Sequence, residues 1–434
     1  MRLNEITDRV KVILKVVLLN TYEIGGAARA CYRLFRGLQD TDTNVSMLVR
    51  GAGQSPEVIS AGTRCGGFMR ALLEELPLHS YSSRQLHNFS SARVPGRGVG
   101  EAARLSPDIV HLHWIPQGFV HIESLKKLGC PVVWTLHDSW PFTGGCHLPG
   151  ECTRYENECG ACPVLGSTKN NDLSRRGWQR KRRSYPVDHL TVVAPSRWME
   201  AKAKASSLLK NCTFVVIPNG VDVRIHRPGD QTSAREELGL PRNKRLILCG
   251  ARHVLSDRNK GFDLLSAAVG KLSPELLTGS ALVVFGDSRQ PPLPSLGIEV
   301  VNRGEISNEK MVAALYRAAD VMAVPSREEN LPSMISEAMA CGLPCVAFDV
   351  GGIGDQVRHR ITGCLVPPQD VDALAAEISW LLVNAESRKL LAHNAREHAL
   401  ANYSLERVAR QHLALYQGLV KPLQVETHAT NQNH

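Results

Sequence analysis

The sequence predicts an α/β protein of two doubly wound parallel sheets that face each other across a cleft. Three observations carry this expectation. Apolar runs of strand length alternate with connections of helical length along most of the chain. The alternation breaks once, at residues 224–245, where Pro, Gly and charge mark a linker with one short helix, and then restarts. The 434 residues, 43% of them hydrophobic and 21% charged, suffice for two good-sized cores. Open sheets of this kind gather ligands at the carboxyl ends of their strands.

In the first half, residues 11–20 read as a strand, and Ile24-Gly25-Gly26-Ala27-Ala28 opens a helix running to about Leu38. Strand, Gly-Gly, helix lets backbone approach a phosphate or sugar at free N–H groups, although most such turns only connect elements. Residues 44–49 are a second strand, 68–76 a helix, and 108–114 a buried strand placing His111 and His113 on one face. Such a pair could ligate, but hydrogen-bonded packing is the commoner role. A helix over 119–128 and a strand over 131–136 then deliver His137 and Asp138 to a loop.

That loop, 139–170, is long and holds Cys146, Cys152, Cys159 and Cys162 with His147 beside the first. A long loop is usually functional or stapled. The C-x5-C-x6-C-x2-C spacing suits a structural zinc or iron–sulfur site, free or redox-active thiols, or two disulfides. Next comes RRGWQRKRR, 175–183, six cations around a Trp. It reads either as a solvated helix face or as a patch for a membrane surface or polyanion. Strands at 190–194 and 213–217 flank a helix starting after Pro195-Ser196, and Pro218-Asn219-Gly220-Val221-Asp222 closes this half.

The second half supplies strands at 246–250, 281–285, 298–301, 320–324 and 345–348. Helices are expected at 261–272, 308–319, 333–341, 371–383, 387–400 and 405–419, and 425–434 is a polar tail. Within it, PSREENLPSMISEAMACGLPCVAFDVGG, 325–352, places Glu329 in a loop and Glu337 in the first turns of a helix. Both carboxylates could face one ligand at that helix start, or one could be an ordinary helix-surface acid.

A net charge of +9 favours anionic partners such as a nucleotide, a diphosphate, a membrane surface or a nucleic acid. No apolar stretch reaches the length of a membrane span, and the N-terminal apolar run is broken by Lys11 and Lys15 without a cleavage site. Twelve cysteines without a signal point to a reducing cytoplasm.

Several stretches taken together resemble the retaining family-4 glycosyltransferases of GT-B fold. They are PNGVD (218–222), Lys260-Gly261-Phe262-Asp263, Pro325-Ser326 and the E-x7-E run Glu329–Glu337 with its flank AMACGLPCVAF. TLHD (135–138) and VAPSRW (193–198) agree in the first half. The Cys-bearing insert after HDSWPFTGGCH is similar to a branch found among bacterial exopolysaccharide enzymes of the colanic acid type.

The resemblance implies an acceptor-side Rossmann-like domain, 1–222, with the insert at 139–170, and a nucleotide-sugar domain, 223–400. Residues 401–434 would be a helix returning to the first domain, followed by the tail. It implies Glu337 on the ribose hydroxyls, Glu329 at the donor hexose, and Asn330, Leu331, Pro332 and Ser333 along the sugar and diphosphate. Lys260 and Arg252 would neutralise the diphosphate, His137 would reach the donor sugar, and Gly25, Gly26 and Asn219 would complete the donor site. No catalytic metal is expected. Arg252 stands one residue later than the family's usual Gly-Arg, with Arg258 as its alternative, and Asn330–Ser333 replaces the Gly-Phe-Gly of many members.

The implied reaction moves a hexosyl group, with retention, from a nucleotide sugar to a saccharide or lipid-linked saccharide in cell-surface polysaccharide synthesis. It would occur in the cytoplasm or at the inner membrane face, without nucleic acid. A nucleotide-sugar epimerase or another GT-B enzyme, and more remotely a zinc-bearing nucleic-acid-binding protein, are the competing readings.

Overall fold

The computed structural model describes residues 13–420 except 52, 54, 86–87 and 288–294. The start of the expected first strand, at 11–12, and the polar tail at 425–434 lie outside the described residues.

Seven parallel strands form the first sheet. They are β1 (Leu14–Leu19), β2 (Thr43–Val49), β3 (Val58–Ser60), β4 (Ile109–Leu112), β5 (Val132–Thr135), β6 (Leu190–Ala194) and β7 (Thr213–Val216), in the order β3-β2-β1-β4-β5-β6-β7. Six more form the second. They are β8 (Arg245–Gly250), β9 (Ser280–Phe285), β10 (Glu299–Asn302), β11 (Val321–Val324), β12 (Cys345–Phe348) and β13 (Cys364–Val366), in the order β10-β9-β8-β11-β12-β13. Both orders step outward from a central strand and reverse there, so each sheet has its own switch point at the strand carboxyl ends. Strands such as LILCG and VVWT are apolar on both faces because helices cover both sides. Each sheet accordingly has one apolar cluster on each face.

Helix α1 (Gly26–Gln39) follows β1, and helix α2 (Arg64–Glu75) follows β3. The C-terminal helix Leu405–Leu419 lies on α1 and the first sheet: Tyr416 Oη meets His111 Nδ1 at 2.6 Å, and Tyr416 is fully buried with Val408 and Ala409. A Cβ on Gly37 of α1 would stand 3.0 Å from Ala409 Cβ, so glycine sets this close helix contact. The chain crosses between the halves at Val221 and again at Ser404, and the crossings are hydrogen-bonded: Val221 N–H donates to Tyr403 O (2.8 Å) and Leu405 N–H to Val221 O (3.0 Å).

Two expectations need correction. Residues 119–128 do not form an α-helix; only a 3₁₀ stretch, Ile122–Lys127, is present. The carbonyl of Phe119 accepts from Gly98 N–H (3.0 Å), which takes it out of any helical ladder. The RRGWQRKRR run is a helix, Leu173–Ser184, but it offers neither an even basic face nor an interfacial aromatic. Trp178 is 3% exposed and Lys181 is 2% exposed. Arg180 pairs with Glu123 (2.7 Å) and bonds the Ala92 carbonyl (2.9 Å), and Arg175 pairs with Glu158. Arg175, Arg180 and Lys181 are thus engaged within the domain, while Arg176, Arg182 and Arg183 are exposed. Among the described residues no helix is long and apolar enough to cross a membrane.

Candidate active site

The acidic block is shaped by close backbone approaches. Helix Ser333–Ala340 starts at Pro332, which has no side-chain cap, and ends at Cys341 before Gly342 (φ 74) and Leu343-Pro344. Its first N–H groups are therefore left for a ligand or solvent. The preceding loop rests on Gly351-Gly352: a Cβ on Gly351 (φ 61) would lie 1.7 Å from the Glu329 carbonyl oxygen, and Gly352 N–H donates to that oxygen at 3.0 Å. Gly261 (φ 69), beside Lys260, is held as tightly, its Cβ position 1.9 Å from the Pro325 carbonyl oxygen. These contacts bring Lys260 Nζ to Glu329 Oε1 at 2.7 Å, with Ser326 Oγ donating to the same oxygen at 3.0 Å. Burial opposes the Lys260 charge, but the Glu329 carboxylate outweighs it and raises the ammonium above its ordinary value.

Glu337 is 1% exposed. Tyr316 Oη donates to its Oε2 at 2.8 Å. Its Oε1 lies 2.9 Å from Arg33 Nη1 and 3.8 Å from Arg29 Nη1, both on α1 of the opposite half. The Arg33 contact is an ion pair without hydrogen-bond alignment, so Oε1 stays free as an acceptor among the described residues. Arg33 Nη2 also reaches Glu309 at 2.7 Å. Burial alone would raise the Glu337 carboxyl; the charges of Arg33, His226 and Arg29 and the Tyr316 hydroxyl overcome it and hold the group at about 2. Arg29, Arg33, Glu309 and Tyr316 were not singled out from sequence. The available signal was the i,i+4 spacing of Arg29 and Arg33, which aligns them on one face just after the Gly-Gly turn.

Other expected donor residues are engaged with protein groups. Asn330 spans the seam: its Nδ2 donates to Leu136 O (2.8 Å) and His137 O (3.3 Å), and its Oδ1 accepts from Ser196 Oγ (2.9 Å). The ring of His137, expected to reach the donor, instead pairs Nε2 with His113 Nδ1 at 2.8 Å and stacks on it. Burial lowers His137 to about 4 against the opposing charge of Asp138, so it is neutral near pH 7. Leu331 is buried, Ser333 is half-buried, and Asn219 stands half-buried just before the first crossing.

A cleft of about 1940 Å³ opens beside this seam. The second half contributes Arg252, Arg258 and Asn259 to its wall, and the first half Tyr22, Arg50 and His147. Gly25 (φ 112) opens α1 with no side-chain cap and no acid in the first turn. Arg252 Nη1 lies 3.6 Å from its Cβ position. Gly26 has open space where a Cβ would stand. Free N–H groups at the start of a fourteen-residue helix, with a guanidinium nearby, are an arrangement that favours an anion. Asn259 and Glu328 reach the cleft wall, while their neighbours Lys260 and Glu329 turn toward each other.

On the other side, Tyr22 stacks on Trp114 (5.6 Å) and Trp114 on His147 (5.5 Å). Asp138 holds that row in place, accepting from the Trp114 indole N–H (2.8 Å) and meeting His147 Nδ1 at 2.7 Å. Burial pushes the Asp138 carboxyl up, but His147 and the N–H donors of Trp140 and Trp114 bring it below its ordinary value.

The structure brings Cys146 and Cys162 together but does not gather all four insert cysteines as one group. Among the described residues no three His, Cys, Asp or Glu side chains come close enough to share an ion. Cys146 and Cys162 sit in a small apolar cluster with Phe89 and Leu173. The Cys159 thiol accepts from Gly144 N–H (3.2 Å), and Cys152 turns to the cleft wall. The cation held here is Lys181, whose ammonium donates to Trp140 O and Thr143 O (3.1 Å) and lies over the Trp140 ring. Burial lowers it to about 7, offset in part by Cys146, Cys159 and Asp138.

Residues 24–224 match the family described as Glycosyltransferase Family 4, and residues 244–384 the family described as Glycosyl transferases group 1. A curated protein of Nocardiopsis dassonvillei named D-inositol 3-phosphate glycosyltransferase is 34% identical over 329 residues, 73% of this chain and 71% of its own. One of the same name from Kribbella flavida is 30% identical over 94% of this chain and 93% of its own. Among solved structures, a sucrose-phosphate synthase from Thermosynechococcus elongatus superposes with a TM-score of 0.68 at 22% identity, covering 94% of this chain and 99% of that one. Anabaena HepE in complex with UDP and glucose superposes with a TM-score of 0.65 at 18% identity, covering 94% and 100%. Two parallel-sheet domains of GT-B type, both family matches and these relatives agree: the chain belongs to the family-4, group 1 glycosyltransferases and is an enzyme of that class.

Proposed function

We propose that the protein transfers a hexosyl group, with retention, from a nucleotide sugar to a saccharide or lipid-linked saccharide in cell-surface polysaccharide synthesis. The observation that carries the donor half is the uncapped start of α1 meeting Arg252 at the cleft. Two phosphates there would receive backbone N–H groups and a guanidinium, which stabilise the charge that grows on the leaving diphosphate. Lys260 adds a second cation once Glu329 turns from it to a sugar hydroxyl. Glu337 supplies an ionised acceptor for ribose hydroxyls, and HepE, solved with UDP and glucose, has the same fold. The acceptor hydroxyl would attack the face that the diphosphate leaves, with a departing phosphate oxygen taking its proton. No side-chain base is required.

For the acceptor, the Tyr22–Trp114–His147 row offers flat faces to a sugar ring beside polar groups that fix its orientation. The relatives' name favours a second reading, an inositol phosphate as acceptor. The arginines on that wall speak against it: Arg50 is bonded to the Gln117 carbonyl (2.6 Å) and Arg154 to the Gly160 carbonyl (3.2 Å). The test is a panel of UDP-, GDP- and ADP-sugars, read by thermal shift and slow hydrolysis, on wild type, Glu329→Ala and Glu337→Ala. Stabilisation by one donor, lost in Glu337→Ala, is expected; no response to any donor would sink the proposal. With the donor known, transfer to inositol 3-phosphate in preference to saccharides would establish the second reading.

A further inference from the structure

Helix α2 is built with its polar side inward. Glu74 is 3% exposed, and its carboxylate accepts from Ser91 Oγ (2.5 Å) and Val94 N–H (2.6 Å). Gly67 lies against Arg50, its Cβ position 3.2 Å from Nε. The outward side carries Phe68, Met69, Leu72 and Leu73, continued by Leu76 just past the helix, all between 45% and 68% exposed. Positions i, i+4 and i+8 with i+1 and i+5 make one continuous stripe. A surface helix of a globular protein has the reverse arrangement, and single exposed apolar residues are ordinary where a contiguous stripe is not.

Two further observations say what covers the stripe. Residues 61–105 contain six arginines, no lysine, no aspartate and three glutamates. Of those glutamates, Glu74 is buried, Glu75 is half-buried and Glu101 is paired with Arg104 (2.8 Å), while Arg93 and Arg97 are exposed. The stretch that carries the stripe therefore has an excess of positive charge. The stripe also runs into the cleft mouth, where Phe68 lines the wall with Tyr22 and Ile24, 37% and 54% exposed.

We propose that the outward face of α2 docks on an anionic lipid bilayer. The stripe lies in the interfacial layer and the exposed Arg93 and Arg97 lie against the head groups. The cleft then opens at the bilayer surface, so the acceptor is amphiphilic, with its polar end in the cleft. That last step rests on the transferase reading, whereas the docking does not. It also moves the membrane contact from the basic helix Leu173–Ser184 to α2.

The test is flotation of the full chain with vesicles of phosphatidylcholine alone and of phosphatidylcholine with phosphatidylglycerol. Binding to the anionic vesicles is expected, weaker at high salt. Leu72→Ser with Leu73→Ser, which removes apolar surface from two half-exposed side chains, should cut partitioning by about tenfold or more. Arg182→Gln with Arg183→Gln should leave it unchanged, and all variants should melt as wild type does. Absent binding, or binding unchanged in the leucine variant, would overturn the proposal. So would sedimentation as a dimer that the leucine variant dissociates, because the stripe would then belong to a second copy. Donor hydrolysis is read alongside: its absence in a protein that still floats would count against the transferase reading and leave the docking intact.

Discussion

Replacing Glu337 by Gln should cost stability near neutral pH and spare it in acid. The carboxyl is held at about 2 against an ordinary 4.5, which corresponds to about 3 kcal/mol for the ionised form. Because the folded-state value is depressed, this contribution is complete above the unfolded value and is lost as pH falls through about 4.5 toward about 2. Glutamine keeps the shape and leaves Arg33 paired with Glu309, so what is lost is the stabilisation of the ionised Glu337 carboxylate itself. Urea unfolding of wild type and Glu337→Gln at about pH 6 and about pH 3 checks the reasoning. The difference between the two proteins should be about 3 kcal/mol at the higher pH and about half that at the lower. A difference that is the same at both, or absent at about pH 6, would refute the claim that the Arg33 pair holds this carboxylate ionised.

Three other outcomes follow from the geometry. Lys181 is buried with its ammonium lowered to about 7, so at this group the unfolded chain binds more protons between there and 10.5, and the Lys181 contribution to stability should rise with pH over that window. Lys181→Met should flatten that rise, measured by thermal melts of both proteins across the range. Gly351→Ala puts a methyl 1.7 Å from the Glu329 carbonyl oxygen at φ 61 and should cost about 2–4 kcal/mol in urea unfolding together with turnover. Lys260→Ala removes the cation beside Glu329 and should lower kcat by about a hundredfold with little change in melting; unchanged turnover would count against its charge-stabilising role.

Most strands were legible because two-sided burial makes them continuous apolar runs, and long helices because their apolar positions repeat with the helical period. The expected limits 371–383 and 405–419 coincide with the helices present. Strands β3 and β13 have three residues each, too few to show a period. The 3₁₀ stretch after Phe119 was hidden because the bond that prevents a helix comes from Gly98, distant in sequence. Side-chain partners were less legible for the same reason. RRGWQRKRR reads as a surface until Glu123, 57 residues earlier in the chain, takes Arg180 and two backbone carbonyls take Lys181. Four cysteines in one loop suggest an ion, but spacing does not say which way each thiol turns. Cys146 and Cys162 share one cluster, while Cys159 meets Gly144 N–H and Cys152 lines the cleft.

The stretch that carries the glutamates is also where the halves are tied together. Glu337 meets Arg33 and Arg29, Asn330 meets Ser196 and two carbonyls of the first half, and Asp355 accepts from Arg197 N–H at 2.6 Å. All three ties cross from 329–355 to α1 or to the ends of β5 and β6. A hydroxyl that reaches Glu337 Oε1 shares or displaces the Arg33 guanidinium, because that carboxylate is only 1% exposed and Arg33 stands 2.9 Å from the oxygen. Occupancy at this oxygen and contact between the halves are thus two uses of one charge. A ligand that binds there shifts the seam by the difference in its affinity for the tied and untied arrangements, and by no more than that. Arg33 has Glu309 to fall back on at 2.7 Å, so releasing Glu337 leaves no buried cation unpaired. That second acid is what lets the structure keep so tight a cross-domain pair at the oxygen where a ligand is expected.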